Sequence, residues 1–207
     1  MARSRRSSEP VERPAELDAA IPFPPMEAEL VRDLPEGDGW QYEPKWDGFR
    51  GVLENASGEV RLWSRNARPL LRYFPELRAV GESLPPRSAL DGEIVIVRDG
   101  VLDFDAMQMR LHPAESRVRR LAAEIPATFV AFDVLVWKGK EHWAEPLRKR
   151  RASLEKLVRV APLSPATTDR GAALGWLERF EAIGLDGVVA KRLDEPYRRE
   201  SAAPSRR

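Results

Sequence analysis

Apolar and polar positions along the chain alternate in short runs before they take up a helical period. "FRGVL" and "VRLWS" both read as strands, and the polar stretch between them, Glu54 to Glu59 with Gly58 near its end, reads as a hairpin turn. "ALDGEIVIVRDGVLDF" repeats the theme: an apolar strand, an Arg98-Asp99-Gly100 turn, and a return strand. "ATFVAFDVLVW" is a β-branched and aromatic run that ends at Lys138-Gly139-Lys140, as expected of a buried strand. Helical spacing then takes over. Leu147, Leu154, Leu157 and Val158 form a stripe after Pro146, a residue favoured at a helix start. Trp176, Leu177, Phe180 and Ile183 form a second stripe, closed by Gly184. "GVVAK" predicts one more strand.

Hairpins mixed with helices, without strict β/α alternation, predict an α+β domain built on antiparallel sheets and argue against a Rossmann fold. No internal repeat is visible. Residues 1–20 are rich in Arg, Ser, Pro and Glu and have too little apolar area to fold, so they read as a disordered basic arm. The globular part is expected over 21–197, and 198–207, "RRESAAPSRR", reads as a tail.

Composition narrows the classes of function. A chain of 207 residues with 43% hydrophobic content supports one core. Its 34 Lys and Arg almost balance its 33 Asp and Glu, so any nucleic-acid contact must come from a local basic surface. The absence of cysteine excludes disulfides, thiol catalysis and Cys-ligated zinc. Two histidines, His112 and His142, leave little for a histidine metal site or a Ser-His-Asp triad. No apolar run approaches the ~18 residues that cross a bilayer, and the basic start has no apolar segment behind it. A cytoplasmic protein without membrane association is the expectation.

Candidate chemistry sits in "EPKWDGFR", residues 43–50, where Lys45 lies within two residues of Glu43 and Asp47. An amine nucleophile attacking a phosphate needs nearby cations against the developing charge and carboxylates to hold Mg²⁺. Later segments supply such groups. "SRN" carries Arg65; "LDGEIVI" puts Asp91 and Glu93 on one strand face; "VAFDVL" sets Phe132 beside Asp133; "LDGVVAKR" brings Asp186 and Lys191. Asp186 and Lys191 are five apart, so Gly187 must bend the chain if both serve one site. Each fragment alone has a bland reading as a surface ion pair, turn chemistry or core aromatic. Their ordered conjunction does not.

That ordered set resembles the nucleotidyltransferase domain of ATP-dependent DNA ligases, RNA ligases and capping enzymes, and among these the small bacterial ATP-dependent DNA ligases. "KWDGFR" is similar to that family's Lys-x-Asp-Gly-x-Arg, and "SRN", "LDGEI", "VAFDVL" and "DGVVAKR" follow in order over residues 21–197. The resemblance implies an ATP-grasp-like nucleotidyltransferase fold of antiparallel sheets flanked by helices. It also implies that Lys45 forms a covalent lysyl-AMP from ATP, and that AMP passes to a 5′-phosphate at a nick in duplex DNA. By the same resemblance, Glu43 would meet the adenine amino group and Phe132 would stack on the base. Glu93 would hold ribose or metal, Asp186 Mg²⁺, and Lys191 phosphate charge, while Arg50 and Arg65 would hold the nucleotide or the nick phosphate. Asp47 would organise the loop.

After "KRLDEPY" the family continues into a strand with a Lys-x-Lys pair and then an OB-fold, and this chain ends instead. Slow adenylation and salt-sensitive DNA binding are therefore expected, from a monomer with room for a separate DNA-binding or repair partner. An RNA-ligase or capping-type transferase, or a non-catalytic nucleotide- or DNA-binding remnant, are the alternatives.

Overall fold

The computed structural model of the chain describes residues 25–180, 185 and 187–198. The arm over 1–20, the tail beyond Arg198, and Ile183, Gly184 and Asp186 lie outside the described residues.

In chain order, the first elements are β1 (Trp40–Lys45), β2 (Phe49–Ala56), β3 (Glu59–Ser64) and the short helix α1 (Leu77–Ser83). Then come β4 (Ser88–Val95), β5 (Val97–Arg98), β6 (Val101–Leu102), α2 (Phe104–Met109), α3 (Glu115–Glu124), β7 (Thr128–Trp137) and β8 (Lys140–Glu141). The order ends with α4 (Leu147–Leu157), α5 (Arg170–Phe180) and β9 (Gly187–Arg192). Five strands form an antiparallel sheet in the order β3-β2-β4-β7-β8, and β1 pairs antiparallel with β9 in a separate two-stranded sheet. The α+β reading with antiparallel sheets holds.

The predicted hairpins follow from their turn residues. Ser57-Gly58, Asp99-Gly100 and Lys138-Gly139 all have positive φ at both positions, the pattern of a two-residue turn that matches strand twist. One expectation needs adjustment. The return strand after Asp99-Gly100 does not extend the main sheet; β5 and β6, two residues each, form their own ribbon.

One face of the five-stranded sheet packs a core of Leu53, Leu62, Leu90, Ile94, Phe129 and Val134 against Leu77 of α1, Met107 of α2 and Leu154 of α4. Burying each such side chain stabilises by about 1.5–3 kcal/mol. On α4 the expected stripe is present, and Arg150 is buried with it. On α5 the buried position is Ala173, while Leu177 is 40% exposed. The helix runs beside β1 and β9, and Leu177 lies over Gly187 at the edge of that small sheet.

Two segments tie the sheets together. Residues 162–167 bond to β7 through Ala131 N–H to the Pro162 carbonyl (2.9 Å) and Ser164 N–H to the Ala131 carbonyl (2.8 Å). Three residues on, Tyr42 of β1 and Thr167 exchange backbone hydrogen bonds at 2.8 and 3.0 Å. The chain after β9 folds back over α4: Leu147 N–H reaches the Glu195 carbonyl at 3.0 Å, and Tyr197 N–H the Trp143 carbonyl at 2.8 Å. Among the described residues, no helix is long and apolar enough to cross a membrane.

Candidate active site

Alternation along β1 directs Gln41, Glu43 and Lys45 to one face. In the antiparallel register these stand opposite Lys191, Val189 and Gly187 of β9, which share that face. Burial runs along the row: Gln41 and Glu43 are 4% and 2% exposed, whereas Lys45 lies exposed at the strand end. The buried end is fully bonded. Gln41 Nε2 donates to Glu43 Oε1 at 2.8 Å, and Lys191 Nζ donates to Glu43 Oε2 at 2.9 Å. Lys191 Nζ also lies 4.5 Å from the centre of the Phe132 ring, a cation–π contact. Four residue steps separate the Gln41–Lys191 level from the Lys45–Gly187 level, about 13 Å along the sheet.

Phe132 reaches this face through a β-bulge. On β4 the consecutive residues Asp91 and Gly92 pair with Asp133 and Ala131, which leaves Phe132 as the extra residue of β7. Ala131 and Val134 face the hydrophobic core, while Phe132 turns towards the cleft and Asp133 towards Arg150. A bulge re-aims side chains in this way and adds local twist. Arg150 of α4 holds Asp133 with two hydrogen bonds, at 2.9 and 3.0 Å, and also donates to the Glu145 and Glu195 carbonyls. Asp133 is 4% exposed; burial raises its pKa and Arg150 opposes the rise.

Arg50 of β2 lies directly opposite Glu93 of β4. Its guanidinium grips Asp91 at 3.2 and 2.7 Å, lies 5.3 Å from the Phe132 ring centre, and donates to the Met26 carbonyl. The Tyr197 hydroxyl donates to Asp91 Oδ2 at 2.6 Å. Burial works against the Arg50 charge, yet Asp91, through charge and hydrogen bond, together with Tyr197 and Glu93 raises its pKa. Glu93 is pushed up to about 8, first by burial and then by Asp91 and Asp47, with Arg50 and Lys45 pulling the other way. Those opposing influences set Lys45, Asp47 and Arg50 around the Glu93 carboxyl. Gly48 fits this junction because a Cβ there would stand 2.2 Å from the Ile94 carbonyl oxygen.

Of the residues singled out in the sequence, Glu43, Lys45, Arg50, Glu93, Phe132 and Lys191 converge from five strands on the cleft between the two sheets. Arg65, past the end of β3, is 64% exposed and pairs with Glu27 at 3.4 Å, so it stands at the rim. Asp186 lies outside the described residues, while Gly187 beside it has φ +149°, a conformation that glycine alone adopts readily. Among the described residues, no group of three or more His, Cys, Asp or Glu is poised to hold a metal ion. Concavities of about 220 Å³ along β3 and about 510 Å³ beside the β5–β6 ribbon lie away from the cluster and gather none of its groups.

Sequence reasoning missed Gln41, Tyr197 and Arg150. Gln41 stands two before Glu43 in a segment whose sequence did not announce a strand. Tyr197 and Arg150 depend on contacts between parts of the chain 106 and 17 residues apart.

The family model of the ATP dependent DNA ligase domain matches residues 25–204. DNA ligase C2 of Mycolicibacterium smegmatis is 48% identical over 187 residues, 88% of this chain and 52% of the relative. DNA ligase C of Mycobacterium tuberculosis is 45% identical over 185 residues, 85% of this chain and 51% of the relative. The solved structure of mycobacterial DNA ligase D complexed with ATP and MES is 32% identical, with a TM-score of 0.63 over 78% of this chain and 50% of that one. The chain thus spans about half the length of the relatives it matches. With residues of four of the five ordered motifs gathered on one cleft and the family model matching from residue 25 to residue 204, the chain belongs to the ATP-dependent DNA ligase domain family.

Proposed function

We propose that the chain is the adenylation unit of an ATP-dependent DNA ligase, with Lys45 as its nucleophile. Lys45 Nζ attacks the α-phosphorus of ATP. A P–N bond forms, the P–O bond to pyrophosphate breaks, and the amine releases its proton. AMP then passes from Lys45 to a 5′-phosphate at a nick in duplex DNA, and the adjoining 3′-hydroxyl displaces it to close the strand. Covalent capture splits one hard condensation into easier steps.

The observation that carries this reading is the ordered row on β1, buried at Glu43 and open at Lys45. An enclosed end suits a base, and an open end suits phosphates and DNA. At the enclosed end, Glu43 and Lys191 offer an acceptor and a donor side by side beside the Phe132 ring. That pair complements the amino group and the neighbouring ring nitrogen of adenine. The pairing supports a base-reading role for Lys191 over the phosphate role that the motif alone suggested, since Lys191 stands about 13 Å along the sheet from the level of Lys45. Arg65 is assigned to the nucleotide or the nick phosphate, where a guanidinium fork suits phosphate oxygens, and Arg50, whose fork grips Asp91, to the nucleotide side of the cleft beside Phe132.

Glu93 and Asp186 are the proposed Mg²⁺ ligands. The fit of Glu93 rests on its setting: burial first, and then Asp91 and Asp47, push its pKa up to about 8, so a bound cation would favour the ionised carboxylate that now lacks full compensation. When bound, Mg²⁺ supplies neutralisation of phosphate charge.

Incubating the protein with Mg²⁺ and ATP labelled on the α-phosphate tests the proposal. An acid-labile covalent adduct is expected from the wild type and none from Lys45→Ala. A wild type that never takes up label, at any ATP concentration, would refute it.

A further inference from the structure

We infer that Ser164 is a positioning residue for the nucleophile, acting through the indole of Trp46. The inference rests on the assignment of Lys45 as the attacking group. Ser164 is fully buried although it is polar, and each of its backbone and side-chain groups has a different partner. Its N–H donates to the Ala131 carbonyl of β7 at 2.8 Å, its carbonyl accepts from Arg151 Nη1 of α4 at 2.9 Å, and its Oγ accepts from Trp46 Nε1 at 3.0 Å. The first two bonds fix Ser164 to the five-stranded sheet and its covering helix. The third reaches across to the residue that follows Lys45.

That residue needs an anchor. β1 ends at Lys45, and Trp46–Gly48 carry no ladder hydrogen bonds before β2 begins at Phe49. Upstream, β1 is held by β9 and by Tyr42 bonding to Thr167. Downstream, the Trp46 indole bonds to Ser164 and Gly48 passes close to the Ile94 carbonyl. The three residues from Ser164 to Thr167 can span at most about 11 Å, so the same strap limits the distance between the two sheets. One end of it bonds beside Phe132, at Ala131; the other bonds beside Glu43, at Tyr42. Ser164 Oγ thereby sets the backbone that carries Lys45 relative to Phe132 and Glu43, two of the three residues assigned to the base.

Attack on phosphorus is sensitive to such placement: a displacement of about 1 Å costs on the order of a hundredfold in rate. Base binding, which uses Glu43, Lys191 and Phe132, does not depend on the Trp46 bond. Ser164→Ala and Trp46→Phe should each slow single-turnover formation of the Lys45 adduct by roughly tenfold to a hundredfold at saturating ATP. The dissociation constant for ATP, read by calorimetry, should change less than about threefold. Because both substitutions remove one shared bond, the double variant should be no slower than the slower single variant. Thermal melts of all three variants identify any that fail to fold, and Ser164→Cys, which keeps a weak acceptor of similar size, should recover part of the rate.

Wild-type rates in folded Ser164→Ala, multiplicative losses in the double variant, or a loss confined to ATP affinity would each overturn the inference. Mapping the wild-type adduct separates this failure from that of the underlying reading. Label on Lys45 with an indifferent Ser164→Ala sinks only the positioning role; label on another residue, or none, sinks both.

Discussion

Replacing Arg150 with Met perturbs the contact on which the Phe132 bulge depends. Arg150 is 3% exposed and supplies two of the hydrogen bonds to Asp133, a further one coming from the Val134 N–H, besides those to the Glu145 and Glu195 carbonyls. Met fills much of the volume and donates nothing, so a carboxylate that is 4% exposed loses its counter-charge. Breaking a buried pair by removing one partner costs about 3–5 kcal/mol. For a domain of this size each kcal/mol lowers the melting temperature by about 2–4 °C, so a fall of roughly 6–20 °C follows. Burial already raises the Asp133 pKa, and without Arg150 the carboxyl should take up a proton, which keeps the loss nearer the lower figure. Arg150→Met with Asp133→Asn should therefore regain part of the stability. Differential scanning calorimetry at pH 7 on the wild type, both single variants and the double variant gives the comparison. A melting temperature for Arg150→Met within about 2 °C of wild type, or a double variant worse than the sum of the singles, would refute the reasoning.

Phe132→Ala should weaken ATP binding by about fivefold to 150-fold, the ~1–3 kcal/mol of one base–aromatic stack, measured by calorimetry. Gly48→Ala should destabilise by about 1–3 kcal/mol in denaturant melts, because the new Cβ meets the Ile94 backbone oxygen, which cannot rotate aside. Glu54, 2% exposed, has its pKa raised by burial against the opposing hydrogen bond from Trp63. Its folded pKa exceeds the unfolded value of 4.5, so the stability it confers is full below pH 4.5 and is lost as pH rises through the folded value. Glu54→Gln keeps an acceptor for Trp63 and should remove that pH dependence, leaving the variant more stable than wild type at neutral pH; parallel melts across the pH range decide it.

Most strands were legible from apolar runs closed by turn residues such as Ser57-Gly58, Asp99-Gly100 and Lys138-Gly139, whereas β1, which carries Glu43 and Lys45, was not. The residues of the cleft were legible as types and spacings, and alternation alone put Asp91 and Glu93 on one face. The bulge was not legible. A period-two reading sends Phe132 and Asp133 to opposite faces, and only the pairing of β7 with β4, which skips Phe132 between Ala131 and Asp133, turns Phe132 to the cleft and Asp133 to Arg150. Lys191 shows the same limit. Its position along β9 follows from the register with β1, which sets it opposite Gln41. The exposure of Leu177 and the reach of Tyr197 to Asp91 likewise depend on which distant segments meet. Local pattern names the participants, and long-range pairing decides which of them face one another.

The central claim concerns one atom, Lys45 Nζ. Peptide mapping by mass spectrometry after incubation with ATP and Mg²⁺ examines it directly. The account predicts an added AMP on the peptide containing "EPKWDGFR", with the modification on Lys45. AMP carried by any other residue would contradict it.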